Sequence, residues 1–313
     1  MLDLNQIEIA DRWLAHGHKV VLAIVTSTWG SSPRQAGAIM LIRDDGALSG
    51  SVSGGCIEGN VISQAMSLFD KPDHLSLSEG VEDETAWSQG LSCGGQIDVM
   101  IVPVTDGYIA PSLIKDIASL SSKRQSAYLS LHAKTGKAQL LKDGHELKEG
   151  ELQFAIAPRK QLIIIGAGHI SQQLAPMALQ TDFDVTIIDP RTIFITAERF
   201  PNCHLIDDWP ETALASITLD NESALIVLTH DARIDDQALI AGLQGNPFHI
   251  AALGSQRTHK KRQERLQAAG VSDIDIARIK GPAGLALGAK SPAEIAVSIL
   301  AEIISEYRSR QSQ

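Results

Sequence analysis

The chain has 313 residues, of which 44% are hydrophobic and 20% charged, and its formal net charge at pH 7 is −10. This composition is typical of a globular protein with room for two domains. The acidic balance argues against nucleic acid as a partner, and no run of about 18 apolar residues predicts a membrane span. Three cysteines without a signal-peptide pattern favour a location in the reducing cytoplasm.

The first half of the chain mixes helical and strand-like segments. A hairpin is predicted around Asp44, Asp45 and Gly46, because turn residues there separate two apolar runs. In chain order, the predicted elements are a helix at 3–17, strands at 20–26, 38–42 and 47–52, a helix ending near 69, and a strand at 97–104. This order indicates an α+β domain over residues 1–107.

Residues 108–159 contain one helical segment and short strands separated by glycine turns. We expect them to form a small α+β extension between the N-terminal domain and a second domain at 160–313. The extension ends near an Ala-Pro-Arg-Lys stretch at 157–160, which is where we place the boundary.

The second domain shows a regular β-α-β pattern. Apolar strands are predicted at 162–165, 185–188, 205–206, 225–228 and 250–253, mostly with helical segments between them. Strands that are apolar throughout indicate a parallel sheet covered on both faces, and right-handed crossovers make it a doubly wound, Rossmann-type fold. A final helix is predicted after Ser291, with Pro292 in its first turn and Glu294 completing a capping box.

A glycine loop joins the first strand of this domain to its first helix. Gly166 and Gly168 allow a tight turn and a close approach of phosphate to the helix N-terminus. Asp189 ends the second strand, where an acidic residue can bind a ribose hydroxyl. His169 could donate to a phosphate or simply be exposed. Ser171 replaces the third glycine of the fingerprint, which predicts less close helix–strand packing and weakens the case for ordinary NAD binding.

Two loops of the first half place a cysteine beside two glycines. Gly54 and Gly55 precede Cys56, and Cys93 is followed by Gly94 and a further glycine. A cysteine at the start of a helix has increased thiolate character, and thiolates bind soft metals. The two loops could face one site. The alternative is a pair of buried, inert cysteines in tight turns.

Other candidates lie next to strands. Arg34 closes a hydroxyl-rich loop that suits an oxoanion or is a plain polar turn. Glu58, just after Cys56, is interpreted as a first-turn helix carboxylate or a proton acceptor. His230, Gly254 and Ser255 follow the fourth and fifth strands of the second domain, at the carboxyl ends where doubly wound folds bind ligands.

Two features are predicted to be structural. Cys203 has the surroundings of an ordinary strand cysteine. A basic cluster is predicted to be the solvated face of a helix, with a docking patch for an acidic partner as the alternative; it comprises Arg257, Lys260, Lys261, Arg262 and Arg265.

Taken together, these motifs resemble the XdhC/CoxI family, the accessory proteins of xanthine and carbon monoxide dehydrogenases. The resemblance covers nearly the whole chain. It rests on residues 30–34, 50–58 and 93–99 in the first half, and on 166–170, 229–231, 253–257 and 281–302 in the second. Ser171, where the family often has glycine, departs from the pattern.

The resemblance implies a chaperone without turnover that binds the molybdenum cofactor, either as molybdopterin or as its cytosine dinucleotide form. It implies protection of the cofactor while a cysteine desulfurase installs the terminal sulfur, followed by insertion into an apo-molybdoenzyme of the xanthine dehydrogenase type. It also implies a homodimer, and it assigns cofactor binding, including contact with the molybdenum, to Cys56. We expect the cofactor to lie between the two domains, with its phosphate at the glycine loop and its metal end at the cysteines.

Two alternatives stay open. One is an NAD-dependent oxidoreductase that uses Gly166, Gly168 and Asp189, although the first half offers no clear catalytic pair or metal set. The other is a scaffold that docks desulfurase and dehydrogenase without holding the cofactor. We do not expect NAD to be bound or turned over.

Overall fold

The computed structural model describes residues 1–30, 34–55, 57–81 and 95–311. The chain divides into two compact units, Met1–Pro158 and Arg159–Gln313. Residues 108–158 of the extension that the sequence pattern separates, 108–159, therefore fall inside the first unit. In the part of the chain that is described, no helix is long and apolar enough to cross a membrane.

The first unit is built on a five-stranded antiparallel sheet. Its strands are β1 (Val20–Gly30), β2 (Ile39–Arg43), β3 (Leu48–Gly50), β4 (Leu75–Val81) and β5 (Gly95–Pro103). The order in the sheet is β3-β2-β1-β5-β4. The β2–β3 pairing confirms the hairpin predicted around Gly46, which adopts φ +87° in the turn.

Helices cover this sheet on both faces. They are α1 (Leu4–Ala15), α2 (Glu58–Ser67) and α3 (Pro111–Ser122). Alternate residues of β1 and β5 point to opposite sides, so Ile97 and Val99 join the cluster under α2, while Met100 and Val102 join the cluster under α1 and α3.

A second, three-stranded sheet completes the first unit. It consists of β6 (Ala127–His132), β7 (Ala138–Leu141) and β8 (Glu151–Ile156), in the order β7-β6-β8. Leu129, Leu131 and Phe154 belong to the same hydrophobic cluster as α1 and α3. This shared core explains why residues 108–158 do not separate from the residues before them.

Strand polarity gathers several loops at one end of the five-stranded sheet. β1 ends at Gly30 opposite Gly95, where β5 begins, and β4 ends at Val81 opposite the same residue. β3 ends at Gly50 opposite Met40, near the start of β2. The segments that carry the first-half motifs therefore leave or enter the sheet at a common end.

The second unit is a six-stranded parallel sheet. Its strands are β9 (Gln161–Ile165), β10 (Asp184–Ile188), β11 (His204–Ile206), β12 (Ser223–Val227), β13 (His249–Ala252) and β14 (Ile279–Lys280). The order β11-β10-β9-β12-β13-β14, with every pair parallel, is the doubly wound arrangement predicted from the sequence. Its switch point lies between β9 and β12.

Helices cover both faces of the parallel sheet. They are α4 (His169–Gln180), α5 (Pro210–Ala215), α6 (Ala232–Leu243), α7 (Gln256–Ala268), α8 (Asp273–Ala277) and α9 (Pro292–Gln311). α4 and α9 pack in one cluster, and α5 to α8 contribute to the other. The predicted capping box of α9 is confirmed, since the Glu294 amide donates to Ser291 Oγ and the Ser291 amide donates to Glu294 Oε2.

Candidate functional site

In the first unit, a carboxylate organises the loop that runs from β3 to α2. Glu58 accepts five hydrogen bonds at 2.5–3.0 Å, from the amides of Ser53, Gly54 and Gly55 and from the hydroxyls of Ser51 and Ser53. Burial alone would raise the pKa of Glu58, but these hydrogen bonds outweigh it and lower the pKa to about 2. The loop is therefore folded around an ionised side chain of its own.

Arg34 ties this loop to the first helix. Its Nε donates to the Ser51 carbonyl at 3.1 Å, and its Nη2 lies 3.3 Å from Oδ2 of Asp3, the N-cap of α1. The structure thus brings Arg34, Gly54, Gly55 and Glu58 together. Arg34 holds loop backbone here, a role that differs from the expected oxoanion contact.

Gly55 has φ +126°, a backbone conformation that favours glycine. A Cβ at this position would meet nothing within 4 Å. Gly54 also has a positive φ, +87°. Cys56, Cys93 and Gly94 lie outside the described residues, and their predicted roles stay predictions.

In the second unit, the glycine loop follows β9 at the carboxyl edge of the sheet. A Cβ on Gly166 would lie 2.6 Å from Thr229 Cγ2, and its φ is +102°, so only glycine fits there. A Cβ on Gly168, the N-cap of α4, would meet nothing within 4 Å. Gly168 therefore borders open space at the helix N-terminus, where amides without intrahelical partners can bind an anion.

Asp189 is fully buried and both of its oxygens accept hydrogen bonds from within the unit. Ala167 N donates to Oδ2 at 2.7 Å, and Arg191 donates from N, Nε and Nη2 at 2.7–3.0 Å. Burial would raise the pKa of Asp189, but the bonds from Arg191 and Ala167 outweigh it, and the pKa is lowered. A ribose hydroxyl would have to compete with these donors, so the geometry does not support the ribose contact expected from the sequence.

Arg191 is the site residue that sequence reasoning missed. Its side chain is 45% exposed, its guanidinium lies 4.9 Å from the ring centroid of Phe194, and it shares Asp189 Oδ2 with the glycine loop. The Asp189 hydrogen bond raises the pKa of Arg191. A fixed cation beside a glycine loop suits a phosphate. In the sequence, the position of Arg191 two residues after Asp189 could have indicated this role.

Ser171 corrects a prediction about packing. Its side chain is fully buried, and its hydroxyl donates to the Gly166 carbonyl at 2.5 Å. The serine therefore fits between helix and strand and adds a bond that closes the loop, where the sequence pattern predicted looser packing.

Behind the glycine loop lies a buried ion pair. The Thr229 hydroxyl donates to Asp235, whose Oδ2 lies 3.3 Å from Nη2 of Arg262, and the same nitrogen donates to the Leu253 carbonyl at 2.7 Å. Arg262 is only 1% exposed, so it is not part of a solvated helix face as predicted. Burial raises the pKa of Asp235, although Thr229 and Arg262 oppose the shift.

The remaining candidates lie at the same carboxyl edge. His169 begins α4 and His230 follows β12; both are exposed. Ser255 is the N-cap of α7 and accepts the Thr258 amide at 3.1 Å, while Gly254 has φ +142° and would place a Cβ 3.0 Å from Thr258. These two residues shape the start of α7.

Two observations limit the chemistry of these sites. Cys203 is half-buried, and burial raises the pKa of its thiol, which agrees with an unreactive cysteine. Over the described ranges, no group of three or more His, Cys, Asp or Glu residues is placed to hold a metal ion.

Comparison with known families agrees with this geometry. Residues 162–303 match the XdhC Rossmann domain, and residues 13–76 match the XdhC and CoxI family. The chain belongs to the XdhC and CoxI family. The two matches cover the glycine loop, the Arg34 loop and the Glu58 loop of this XdhC/CoxI protein.

Two relatives and one solved structure match this chain over most of their own length. A probable xanthine dehydrogenase subunit from Bacillus subtilis is 29% identical, over 94% of this chain and 95% of that protein. The molybdenum cofactor insertion chaperone PaoD of Escherichia coli is 27% identical, over 93% and 85%. A crystal structure of a xanthine dehydrogenase from Bacillus halodurans superposes with a TM-score of 0.81 at 25% identity, covering 99% and 97% of the two chains.

Proposed function

We propose that this XdhC/CoxI protein is a molybdenum cofactor insertion chaperone. In this proposal it carries the cofactor as cargo, without turnover, to an apoenzyme of the xanthine dehydrogenase type. Its similarity to PaoD over 93% of the chain supports the cargo, and its similarity to a xanthine dehydrogenase subunit supports the class of client.

The observation that carries the proposal is the loop folded around Glu58. Its amides already donate to Glu58, so the loop is poorly suited to hold a phosphate. What it offers is a glycine-rich, hydrogen-bonded loop before α2, and in the sequence Cys56 directly follows Gly55. A thiol that follows such a loop in the sequence suits a cofactor whose metal is held by sulfur.

The second unit supplies a different chemistry. Gly168 borders open space at the N-terminus of α4, and Arg191 presents a fixed cation beside the same loop. Together they suit the phosphate of the cofactor, whether it ends there or continues into a cytosine nucleotide. Asp189 already accepts hydrogen bonds from Arg191 and Ala167, which argues against the NAD-dependent alternative.

Sulfuration by a bound cysteine desulfurase, a homodimer and a cytoplasmic location complete the proposal. They rest on the resemblance and on the cysteine content, and they stay predictions.

The test is to isolate the protein from cells that make the cofactor and to assay released pterin and molybdenum. We expect both to copurify with the wild type. Cys56→Ser should lose most of the bound cofactor and keep the thermal transition of the wild type, whereas Cys203→Ser should keep both. Equal cofactor occupancy in wild type and Cys56→Ser would contradict the thiol contact, and wild-type protein without pterin would contradict the chaperone itself.

A further inference from the structure

On the first unit, a corner of the five-stranded sheet carries a polar and aromatic cluster that none of the site residues above explains. Ser27 of β1 and Ser78 of β4 both lie opposite Asp98 of β5, so the three side chains form a row across three strands. Trp29 and Gln96 pair in the next row, two residues further along each strand, and therefore share the same face.

This corner extends beyond the helices that cover the face. Further along β5, Met100 and Val102 point the same way and are buried in the cluster beneath α1 and α3. Asp98 is only partly buried, Gln96 is exposed, and Trp29 is 79% exposed. A tryptophan so exposed near the end of a strand presents a flat aromatic surface to solvent, where planar heterocycles can stack.

Asp98 is oriented by its neighbours. Ser78 Oγ donates to Oδ1 at 2.7 Å, Ser27 Oγ donates to Oδ2, and Gln96 Nε2 donates to Ser78 Oγ at 2.9 Å. The hydroxyls of Ser27 and Ser78 lower the pKa of Asp98, so the carboxylate is ionised at neutral pH. Within the described residues it has no lysine or arginine partner, and each oxygen keeps a lone pair that can accept a further bond.

We propose that Trp29, Gln96 and Asp98 recognise a planar amino-oxo-pyrimidine ring, the ring of a pterin. Such a ring presents an exocyclic amino group beside a ring N–H, and this pair of donors matches a carboxylate as a guanidinium does. Trp29 is the diagonal neighbour of Asp98, about 7–8 Å away between backbones, which is within reach of a large aromatic side chain. The indole stacks on the ring while Asp98 binds its edge.

This inference rests on the proposed function, because it takes the pterin from the cofactor that the chain would carry. Cross-strand bonds from two serines to an aspartate also stabilise a sheet. They do not account for the exposed indole beside them. Guanine has the same amino-oxo edge, so the shared chemistry is the amino-oxo-pyrimidine, and the test must separate pterin from guanosine.

The experiment titrates hydroxymethylpterin, guanosine and lumazine, which has an oxo group in place of the amino group, into the full chain by calorimetry. We expect hydroxymethylpterin to bind at least about tenfold more tightly than lumazine or guanosine. Asp98→Asn and Trp29→Ala should each weaken pterin binding by about tenfold, with partial rescue in Trp29→Phe. Glu79→Gln, adjacent on β4 but on the opposite face, and Trp209→Ala, an exposed tryptophan of the other unit, should bind as the wild type does.

The inference would be overturned by no pterin binding at about 1 mM, by equal binding of lumazine, or by unchanged binding of pterin to Asp98→Asn. A preference for guanosine would assign the corner to a purine nucleotide instead and would also overturn it. Cofactor occupancy in cells separates this failure from that of the chaperone. If Asp98→Asn and Trp29→Ala retain cofactor while Cys56→Ser loses it, the proposed function stands without this corner.

Discussion

The two units each place a glycine-containing loop before a helix and bind that loop to a carboxylate, but with opposite consequences. In the first unit the carboxylate is Glu58, the first residue of α2 itself, and it accepts the amides of Ser53, Gly54 and Gly55. In the second unit it is Asp189, from the neighbouring strand, and it accepts one loop amide, that of Ala167.

The difference lies in what each carboxylate leaves available. Glu58 takes the place that an anion would take at the start of α2, so that loop is poorly suited to bind a phosphate. Asp189 lies behind its loop, and both of its oxygens also accept hydrogen bonds from the Arg191 side chain. The N-terminus of α4 is left open beside Gly168. A glycine loop before a helix therefore predicts an anion site only when no carboxylate of the protein already fills it.

The largest expected effect concerns the support behind the second loop. Asp235→Ala leaves Arg262 buried without its carboxylate, and we expect a loss of about 3–5 kcal/mol in the free energy of unfolding. The matched control is Asp236→Ala, because Asp236 pairs with the partly exposed Arg265 at 2.6 Å and should cost less than about 1 kcal/mol. Urea denaturation of both variants measures the contrast, and similar losses would show that the buried pair does not support the unit.

The next effect separates the two glycines of one loop. Gly166→Ala forces a Cβ against Thr229 at a positive φ, and we expect it to cost about 3 kcal/mol. Gly168→Ala should change the free energy of unfolding by less than about 0.5 kcal/mol, because its Cβ meets open space. The same Cβ should reduce cofactor occupancy, since it enters the space for phosphate. Full occupancy in a folded Gly168→Ala would place the phosphate elsewhere.

Parts of the fold could be predicted from the sequence. Uninterrupted apolar strands indicated the parallel sheet, and the Ser291–Glu294 spacing indicated the cap of α9. β4 was missed because its alternating Leu-Ser-Leu-Ser pattern belongs to an edge strand with one exposed polar face. Such a strand resembles a polar connection until its partner is known.

The roles of charged residues were harder to predict. Arg262 and Arg265 lie on the same basic helix, and only the position of α6 makes one buried and the other partly exposed. Asp189 stands at the spacing of a ribose-binding acid, but Arg191 two residues later takes up its oxygens. Spacing places a residue at an edge of the sheet, whereas the choice of partner depends on side chains brought there from other segments.

A smaller effect tests the carboxylate of the first loop. Glu58→Gln replaces one carboxylate oxygen by a side-chain NH2 group, which would face the hydroxyl and backbone amide donors of the loop. We expect the free energy of unfolding to fall by about 1–2 kcal/mol at pH 7. The folded pKa of about 2 lies below the ordinary value of 4.5, so the stabilisation is present above pH 4.5 and is lost as pH falls toward 2. The difference between wild type and variant should therefore shrink over that window. Glu79→Gln is the control, and a constant difference from pH 7 to pH 2 would contradict the assigned role.

The smallest effect concerns Arg191, which distinguishes an anion site from a dinucleotide site. Its guanidinium is half-exposed and feels the negative charge of Asp231 as well as that of Asp189, so the net field at the loop is modest. We expect Arg191→Gln to weaken the binding of inorganic pyrophosphate about threefold at low salt and less at high salt, because screening reduces a half-exposed charge. Arg233→Gln, an equally charged but more exposed change on α6, should have no such effect.

The same variant tests the NAD-dependent alternative, because removing the arginine would release Asp189 to bind a ribose. When NADH is titrated and its fluorescence is monitored, we expect no binding to the wild type and none to Arg191→Gln. The buried Asp189 would still accept the Ala167 amide in the variant. If Arg191→Gln left pyrophosphate binding unchanged and NADH bound tightly to either protein, the second loop would be a dinucleotide site. The contrast between a loop filled by its own carboxylate and a loop open to phosphate would then need a different cause.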